Sequence, residues 1–251
     1  MADDEIIYGL HAVQAALKYE PHSLRSLWVE TNRRDPRMRA LLEQAERAGV
    51  TVEFRPREVL DRLCPDGRHQ GVVARQAAQA LARPRAEREL PEILAAAGAN
   101  PLVLVLDGVQ DPHNLGACLR SADAAGVCAV IAPGDRAVGL TPTARKVACG
   151  AAESVPFVQV TNLARTLRWL RDSGLWVIGA AGEAEHSLYQ ADLRGPLAIV
   201  LGAEDKGLRR LTREHCDQLV HIPMLGKVES LNVSVATGIL LFEAVRQRNA
   251  L

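Results

Sequence analysis

The sequence predicts an α/β protein with a small N-terminal domain and a larger C-terminal domain whose sheet is mostly parallel. In the C-terminal part, apolar runs of strand length, such as Leu102–Leu106 and Leu197–Leu201, alternate with segments of helical spacing. Such alternation is typical of a parallel sheet covered on both faces. Residues 77–99 are rich in Ala, Arg, Glu and Pro. We therefore predict domains at 1–76 and 100–251, joined by a linker over 77–99.

The N-terminal part predicts a compact unit of alternating helices and strands. Apolar residues at helical spacing indicate helices over Gly9–Glu20, Asp35–Ala48 and Pro56–Leu63. Short apolar stretches between them predict strands over residues 26–30, 51–54 and 71–75.

The C-terminal part predicts a longer α/β series. Its predicted strands are Leu102–Leu106, Val127–Ile131, Leu175–Ala180, Leu197–Leu201 and Leu219–Ile222. Its predicted helices are Leu115–Ala125, Pro142–Ala148, Leu163–Asp172, Leu208–Cys216 and Val233–Arg248. Because ligands of such sheets bind at the carboxyl ends of strands, the loops after Leu106, Leu201 and Ile222 are the candidate sites.

Composition argues against secreted and membrane-spanning proteins. The chain starts MADDE, without a basic and then apolar leader, so we expect no secretory signal. Its apolar runs have strand length and are too short to cross a bilayer. Its five cysteines form no CxxC pair, so we expect free thiols in a reducing cytoplasm, no metal site and no membrane partner. Aromatic residues make up only 4%, which argues against a sheet that stacks on bases.

The net charge of zero does not by itself indicate a nucleic-acid binder. Two local stretches are nevertheless basic: Arg33, Arg34, Arg37 and Arg39, and Lys206, Arg209, Arg210 and Arg213. Each pattern fits either phosphate contacts or a solvated helix face, and the sequence leaves the use of the Arg33–Arg39 stretch open.

The first candidate loop, Asp107–Gly116, reads DGVQDPHNLG and leads into a helix. We expect Asn114 to cap that helix, with Arg120 reaching the same crevice. A structural cap followed by a surface arginine is the alternative. In either case, polar side chains stand at the carboxyl end of a predicted buried strand.

The second and third loops are LGAEDKGL at 201–208 and IPMLGKVESLN at 222–232. Gly202 allows close approach of the backbone to a ligand, and Glu204 offers a hydrogen-bond acceptor. Ser230 and Asn232 precede a long helix, whose N-terminus favours anions. The sequence lacks the P-loop, the GxSxG elbow, the HExxH zinc motif and a GxGxxG turn after the first C-terminal strand.

Taken together, these loops resemble the SPOUT superfamily, in the SpoU/TrmH branch of RNA 2′-O-methyltransferases. The family's N-x-G-x-x-x-R-x-A motif matches residues 114–122, and its second and third motifs match LGAEDKGL and IPMLGKVESLNVSVA. The similarity extends to YGLHAVQAAL, HQGVVAR and VACGAAESVP, and so covers essentially the whole chain.

The resemblance implies an L30e-like RNA-binding domain followed by a catalytic domain with a trefoil knot. It implies a cytoplasmic homodimer with residues of both subunits at the active site, and S-adenosyl-L-methionine as cofactor. The implied reaction is methyl transfer to the ribose 2′-hydroxyl of a guanosine in 23S rRNA. The substrate is either the free rRNA or a large-subunit assembly intermediate, and the target nucleotide is left open.

The resemblance also assigns residue roles. The expected catalytic residues are Arg120, Asn114, Glu204, Ser230 and Asn232. The expected cofactor-binding residues are Gly202, Ile222, Leu231, Met224 and Leu201. The family's proposed base is the motif arginine, but a guanidinium is not normally deprotonated in proteins. Arg120 therefore serves either as the base or as a group that orients phosphate. Asp205-Lys206 departs from the residues frequent in relatives.

Three alternatives stay open on the sequence. A tRNA methyltransferase of the same branch is disfavoured by the N-terminal domain. A non-catalytic RNA-binding protein of ribosome assembly is disfavoured by the intact motif residues. A nicotinamide-binding enzyme is disfavoured by the missing glycine fingerprint.

Overall fold

The computed structural model describes residues 4–19, 21–33, 35–65, 67–77, 84–203 and 206–249. The chain divides into two compact units, Met1–Arg83 and Pro84–Leu251. The predicted linker differs from this division: residues 78–83 lie outside the described ranges, and residues 84–99 belong to the second unit. A short strand within these residues pairs with the second unit's sheet, and Leu90 and Leu94 are buried in its core.

The first unit alternates strands and helices, as its sequence pattern predicts. In chain order its elements are β1 Glu5–Tyr8, α1 Leu10–Tyr19, β2 Leu24–Glu30, α2 Pro36–Arg47, β3 Val52–Arg55, α3 Arg57–Leu63 and β4 Val72–Gln76. The strands form one sheet in the order β1-β4-β2-β3. Asp35 caps α2 by accepting hydrogen bonds from the backbone N–H groups of Arg37 and Met38.

The second unit is a longer α/β series. In chain order its first elements are β5 Arg85–Ala86, α4 Leu90–Ala96, β6 Leu102–Asp107, α5 Pro112–Ala124, β7 Ala129–Pro133, α6 Pro142–Ala148, α7 Ala151–Ser154, β8 Phe157–Val160 and α8 Leu163–Asp172. The remaining elements are β9 Trp176–Ala180, β10 His186–Ser187, β11 Leu197–Gly202, α9 Arg210–Glu214, β12 Gln218–His221 and α10 Val233–Asn249.

These strands form an eight-stranded sheet in the order β10-β12-β9-β11-β6-β7-β8-β5, and each of its described pairings is parallel. The central strand β6 shows why the sheet is covered on both faces. Leu102, Leu104 and Leu106 point into one buried cluster, whereas Val103 and Val105 point into another. The predicted α/β class with a mostly parallel C-terminal sheet is therefore confirmed.

Several elements differ from the sequence prediction. Strands β1 and β8, the two-residue strands β5 and β10 and the four-residue helix α7 were not predicted, because short elements carry little periodic signal. Helix α9 is shorter than the predicted Leu208–Cys216. In the described part of the chain, no helix combines the length and apolarity that a membrane crossing requires.

Candidate active site

The carboxyl ends of β9, β11 and β12 open into a cavity of about 660 Å³, called here the strand-end cavity. These three strands are neighbours in the sheet, so their following loops meet at one edge. The cavity is lined by residues 180–182, 201–203, 207, 220–224, 226–231, 233 and 236. All five predicted cofactor-binding residues lie in this lining, as does Ser230.

Gly202, the last residue of β11, is required by the way its loop folds back. Gly207 donates a backbone hydrogen bond of 2.8 Å to the carbonyl of Ala203. A Cβ atom at position 202 would overlap the backbone of Gly207 and Leu208. The glycine thus permits the tight loop, in addition to the close approach to a ligand expected from the sequence.

The start of α10 is tied to the start of α5 by two asparagines. The Asn232 side-chain N–H donates to Oδ1 of Asn114 at 3.0 Å. Oδ1 of Asn232 accepts from the backbone N–H of Ser234 at 2.9 Å, which satisfies an otherwise unpaired donor at the helix start. The first and third sequence motifs therefore meet at this pair.

The prediction that Asn114 caps α5 is wrong. The cap is Asp111, whose carboxylate accepts from the backbone N–H of His113 at 2.8 Å, and Pro112 occupies the first helical position. An Asp-Pro pair is a strong helix start, because aspartate caps well and proline needs no hydrogen-bond partner there. Asn114 lies in the first turn, which leaves its side chain to bond with Asn232.

A second cavity of about 470 Å³, the side cavity, adjoins the first. Ala203, Gly207 and Val233 line both. The side cavity is also lined by residues 107–111, Asn114, Arg136, Lys206 and Arg209. It therefore places three cationic side chains beside the strand-end cavity.

Asp107 and Arg209 form an ion pair at the wall of the side cavity. The Asp107 carboxylate is 0% exposed and accepts from the backbone N–H of Arg209 at 3.0 Å and from its Nε at 2.5 Å. A buried carboxylate is stable only when it is paired. Arg209 is therefore held as the partner of Asp107 and is not free to bind phosphate.

The other arginines of the second basic stretch are paired as well. Arg210 contacts Glu214 at 2.8 Å on an exposed helix face, and Arg213 contacts Glu183. The hydrogen bond from Arg213 holds the pKa of Glu183 below its usual range. The alternative of a solvated helix face therefore describes Arg210, whereas Arg213 is partly buried and paired with Glu183.

In the first basic stretch, Arg33 is also engaged: its Nε lies 2.6 Å from Asp35, and it donates to the carbonyl of Gln70. Arg34 lies outside the described residues. Arg37 and Arg39 are exposed.

Arg120 stands apart from the other predicted catalytic residues. It is exposed on α5, and its Nη1 lies 3.7 Å from Sγ of Cys149. The described residues that line the two cavities do not include Arg120. Asn114, Ser230 and Asn232 are gathered at the adjoining loops, whereas Glu204 lies outside the described residues.

Sequence reasoning missed three contributions to this region. The Ala180–Gly182 turn lines the strand-end cavity. The Asp107–Arg209 pair and Cys149 were not predicted either. Asp107 could have been proposed as a site residue, because it is the first polar residue after an apolar strand. Its pairing with Arg209 could not have been predicted, because the two residues are distant in sequence.

Comparison with known protein families identifies the class to which this fold and these loops belong. Residues 101–242 match the model of the SpoU rRNA methylase family, and residues 6–82 match a model described as RNA 2′-O ribose methyltransferase substrate binding. The chain belongs to the SpoU rRNA methylase family.

Individual relatives agree with this assignment over their whole length. The chain is 57% identical to the 23S rRNA (guanosine-2′-O-)-methyltransferase RlmB of Shewanella oneidensis, over 100% of both chains. It is 55% identical to RlmB of Escherichia coli K12, over 98% of this chain and 99% of that one.

Solved structures show the same fold. The SpoU methyltransferase AviRb of Streptomyces viridochromogenes, in complex with the cofactor AdoMet, has a TM-score of 0.76 at 25% identity, covering 99% of this chain and 92% of AviRb. An RNA 2′-O ribose methyltransferase has a TM-score of 0.79 at 28% identity, covering 99% and 90%. The trefoil knot that the sequence resemblance implies stays a prediction.

Proposed function

We propose that this protein transfers a methyl group from S-adenosylmethionine to the ribose 2′-hydroxyl of a guanosine in 23S rRNA. The single observation that carries the proposal is the strand-end cavity, in which the second and third family motifs line one pocket. The substrate follows from the RlmB relatives, whose identity of 55–57% spans the whole chain. Action on rRNA also supports a cytoplasmic protein.

The residues of the strand-end cavity fit S-adenosylmethionine. The volume of about 660 Å³ lies within the range of small-molecule sites. Leu201, Ile222, Met224 and Leu231 offer an apolar wall, and Gly202 stands where β11 ends. We assign these five residues to the cofactor, which supplies an activated methyl group when bound.

The protein's own contribution is mainly to position the ribose, because a sulfonium methyl is already reactive. We assign the ribose to Asn114, Ser230 and Asn232, which lie at the two cavities, and to Glu204, which is assigned by its place in the second motif. Arg120 either accepts the hydroxyl proton or orients the nucleotide phosphate, and phosphate binding suits a guanidinium well.

A homodimer completes the proposal. Arg120 does not line either cavity of its own chain, so we infer that Arg120 of a second copy reaches this site. Helix α10 supports such an interface, since Val235 and Phe242 are seven residues apart and 51% and 49% exposed. Residues spaced in this way share one helix face.

We assign the two units to different tasks. The first unit, Met1–Arg83, would bind RNA as an L30e-like domain, and the second unit, Pro84–Leu251, would carry catalysis. The match of residues 6–82 to a substrate-binding model supports this assignment.

The test is transfer of labelled methyl from S-adenosylmethionine to unmethylated rRNA. We expect label on a ribose oxygen of 23S rRNA, mapped by mass spectrometry, and at least about a 100-fold loss of kcat/KM in Arg120→Ala. The matched control is Arg210→Ala, which removes an exposed arginine outside both cavities.

Label on tRNA alone would contradict the substrate, and full activity of Arg120→Ala would contradict the role of the arginine. Sedimentation of the active species as a monomer would contradict the dimer.

A further inference from the structure

The turn between α6 and α7 holds a cysteine in an unusual backbone conformation. Cys149 has φ 54° and ψ 38°, in the left-handed region, and Gly150 follows with φ 98°. Residues other than glycine are uncommon in that region because the Cβ atom crowds the backbone. A cysteine at such a position indicates that its side chain contributes something that glycine would not.

The side chain of Cys149 contacts the arginine of the first motif. Nη1 of Arg120 donates towards Sγ at 3.7 Å, and Sγ donates towards the carbonyl of Lys146, also at 3.7 Å. The thiol therefore connects the guanidinium to the backbone of the last turn of α6. Both distances are long but lie within the range of hydrogen bonds that involve sulfur, which is a larger atom than oxygen.

The surrounding helices fix this turn relative to Arg120. Helix α5 packs tightly on α6, since a Cβ at Gly116 would lie 2.5 Å from the carbonyl oxygen of Ala144. The last turn of α5 is bonded to α7 through Asp123 and Ser154, 2.5 Å apart. Because α5 is held at both points, the Cys149 thiol has a fixed place beside the Arg120 side chain.

We propose that Cys149 is a positioning residue for Arg120: its thiol orders the guanidinium in the direction needed for methyl transfer. The proposal rests on the proposed function, because it assigns Arg120 to the reaction. An exposed arginine side chain has many rotamers, and each must be restricted before it can act on a ribose or a phosphate.

Three substitutions separate the side-chain contact from the backbone conformation. Cys149→Ala keeps the unfavourable conformation and removes the sulfur. Cys149→Gly removes the sulfur and relieves the conformation. Cys149→Ser keeps both a donor and an acceptor on the same Cβ atom.

We expect kcat to fall about ten-fold in Cys149→Ala and Cys149→Gly, and Cys149→Ser to stay within about three-fold of the unmodified protein. KM for S-adenosylmethionine should change by less than about two-fold in all three, since Cys149 does not line the strand-end cavity. The Tm of Cys149→Gly should equal or exceed that of the unmodified protein.

Unchanged kcat in both Cys149→Ala and Cys149→Gly would overturn the proposal. So would a loss of kcat that follows Tm across the series, because this would indicate a purely structural role. A second measurement does not need turnover: 15N relaxation of the Arg120 Nε–H group should show greater mobility in the alanine and glycine variants than in the serine variant.

The relaxation experiment also separates this proposal from the proposed function. If the unmodified protein labels no RNA but Arg120 loses order in Cys149→Gly, the proposed function fails and the positioning contact stands. If methyl transfer is observed but Arg120 mobility is the same in all variants, the positioning contact fails alone.

Discussion

At the scale of single residues, the most consequential contact is the pair formed by Asp107 and Arg209. The carboxylate is fully buried at the end of β6, while the arginine side chain is 44% exposed. Removing one partner of such a pair leaves a buried charge without compensation. This lowers the free energy of unfolding by more than the loss of an exposed ion pair does. The neighbouring Arg210, paired with Glu214 on the surface, provides the comparison.

We expect Arg209→Ala to lower the free energy of unfolding of the second unit by about 2 kcal/mol, which allows for the partial exposure of the arginine and for its retained backbone hydrogen bond. Arg210→Ala should cost less than about 1 kcal/mol. Urea denaturation followed by tryptophan fluorescence measures both. Equal effects of the two substitutions would contradict the buried-charge argument.

The sequence could predict single residues only where the motif or the local chain determines their place. The five cofactor-binding predictions come from the family resemblance, whose motifs fall in loops that follow apolar strands, and these residues line one cavity. Asn114 was misassigned as a cap because both it and Asp111 are good capping residues, and only the position of Pro112 favours the earlier start. Cys149 lies in a turn whose left-handed backbone is invisible in the residue pattern.

At the scale of elements, the packing of α5 on α6 explains the glycine of the first motif. Gly116 faces α6 so closely that a Cβ atom would lie 2.7 Å from Cβ of Val147. Close helix packing of this kind needs a residue without a side chain. Gly238 on α10 is different, because the nearest atom to a Cβ there would be Oγ of Ser121 at 3.9 Å.

The two helical glycines should therefore respond to alanine in opposite directions. We expect Gly116→Ala to destabilise the second unit by about 2 kcal/mol, because the α5–α6 contact is overpacked. Gly238→Ala should stabilise it by up to about 1 kcal/mol, since alanine favours the helix and has space. Thermal unfolding of both variants is the measurement, and destabilisation by Gly238→Ala would show that the space beside Ser121 is in use.

Long, strongly patterned elements could be predicted from the sequence, and short ones could not. The apolar strand β6 and the helix α8 match their predicted ranges within one residue. Strands β5 and β10 have two residues each, so their existence depends on neighbours in the sheet and not on their own sequence. Strand β8, FVQV, follows Pro156 and is too short for a reliable alternating pattern.

At the scale of the whole molecule, each unit has its own hydrophobic core. The first unit's buried clusters contain residues between positions 10 and 74, and the second unit's contain residues between positions 90 and 244. The described lining of both cavities beside the motifs belongs to the second unit alone. Cofactor binding should therefore not require the first unit.

We expect a fragment of residues 84–251 to bind S-adenosylmethionine with a Kd within about three-fold of the full chain's. Its kcat/KM for rRNA should fall by at least about ten-fold, because the proposed RNA-binding unit is missing. Isothermal titration calorimetry and the methyl-transfer assay measure these quantities. A fragment that methylates rRNA as efficiently as the full chain would remove the first unit from substrate recognition.

The centre of the second sheet also determines when this protein finishes folding during its synthesis. At the middle of the sheet β6 pairs with β11, although β7, β8, β9 and β10 lie between these two strands in the chain. Helix α10, which comes later still, buries Leu240 and Leu241, and Arg248 donates to the carbonyls of Leu193 and Gly195. Contacts this distant in sequence form slowly. We therefore expect the apolar strands of the second unit to be only partly paired until translation of α10 is complete. The need for chaperones should be greatest in that interval.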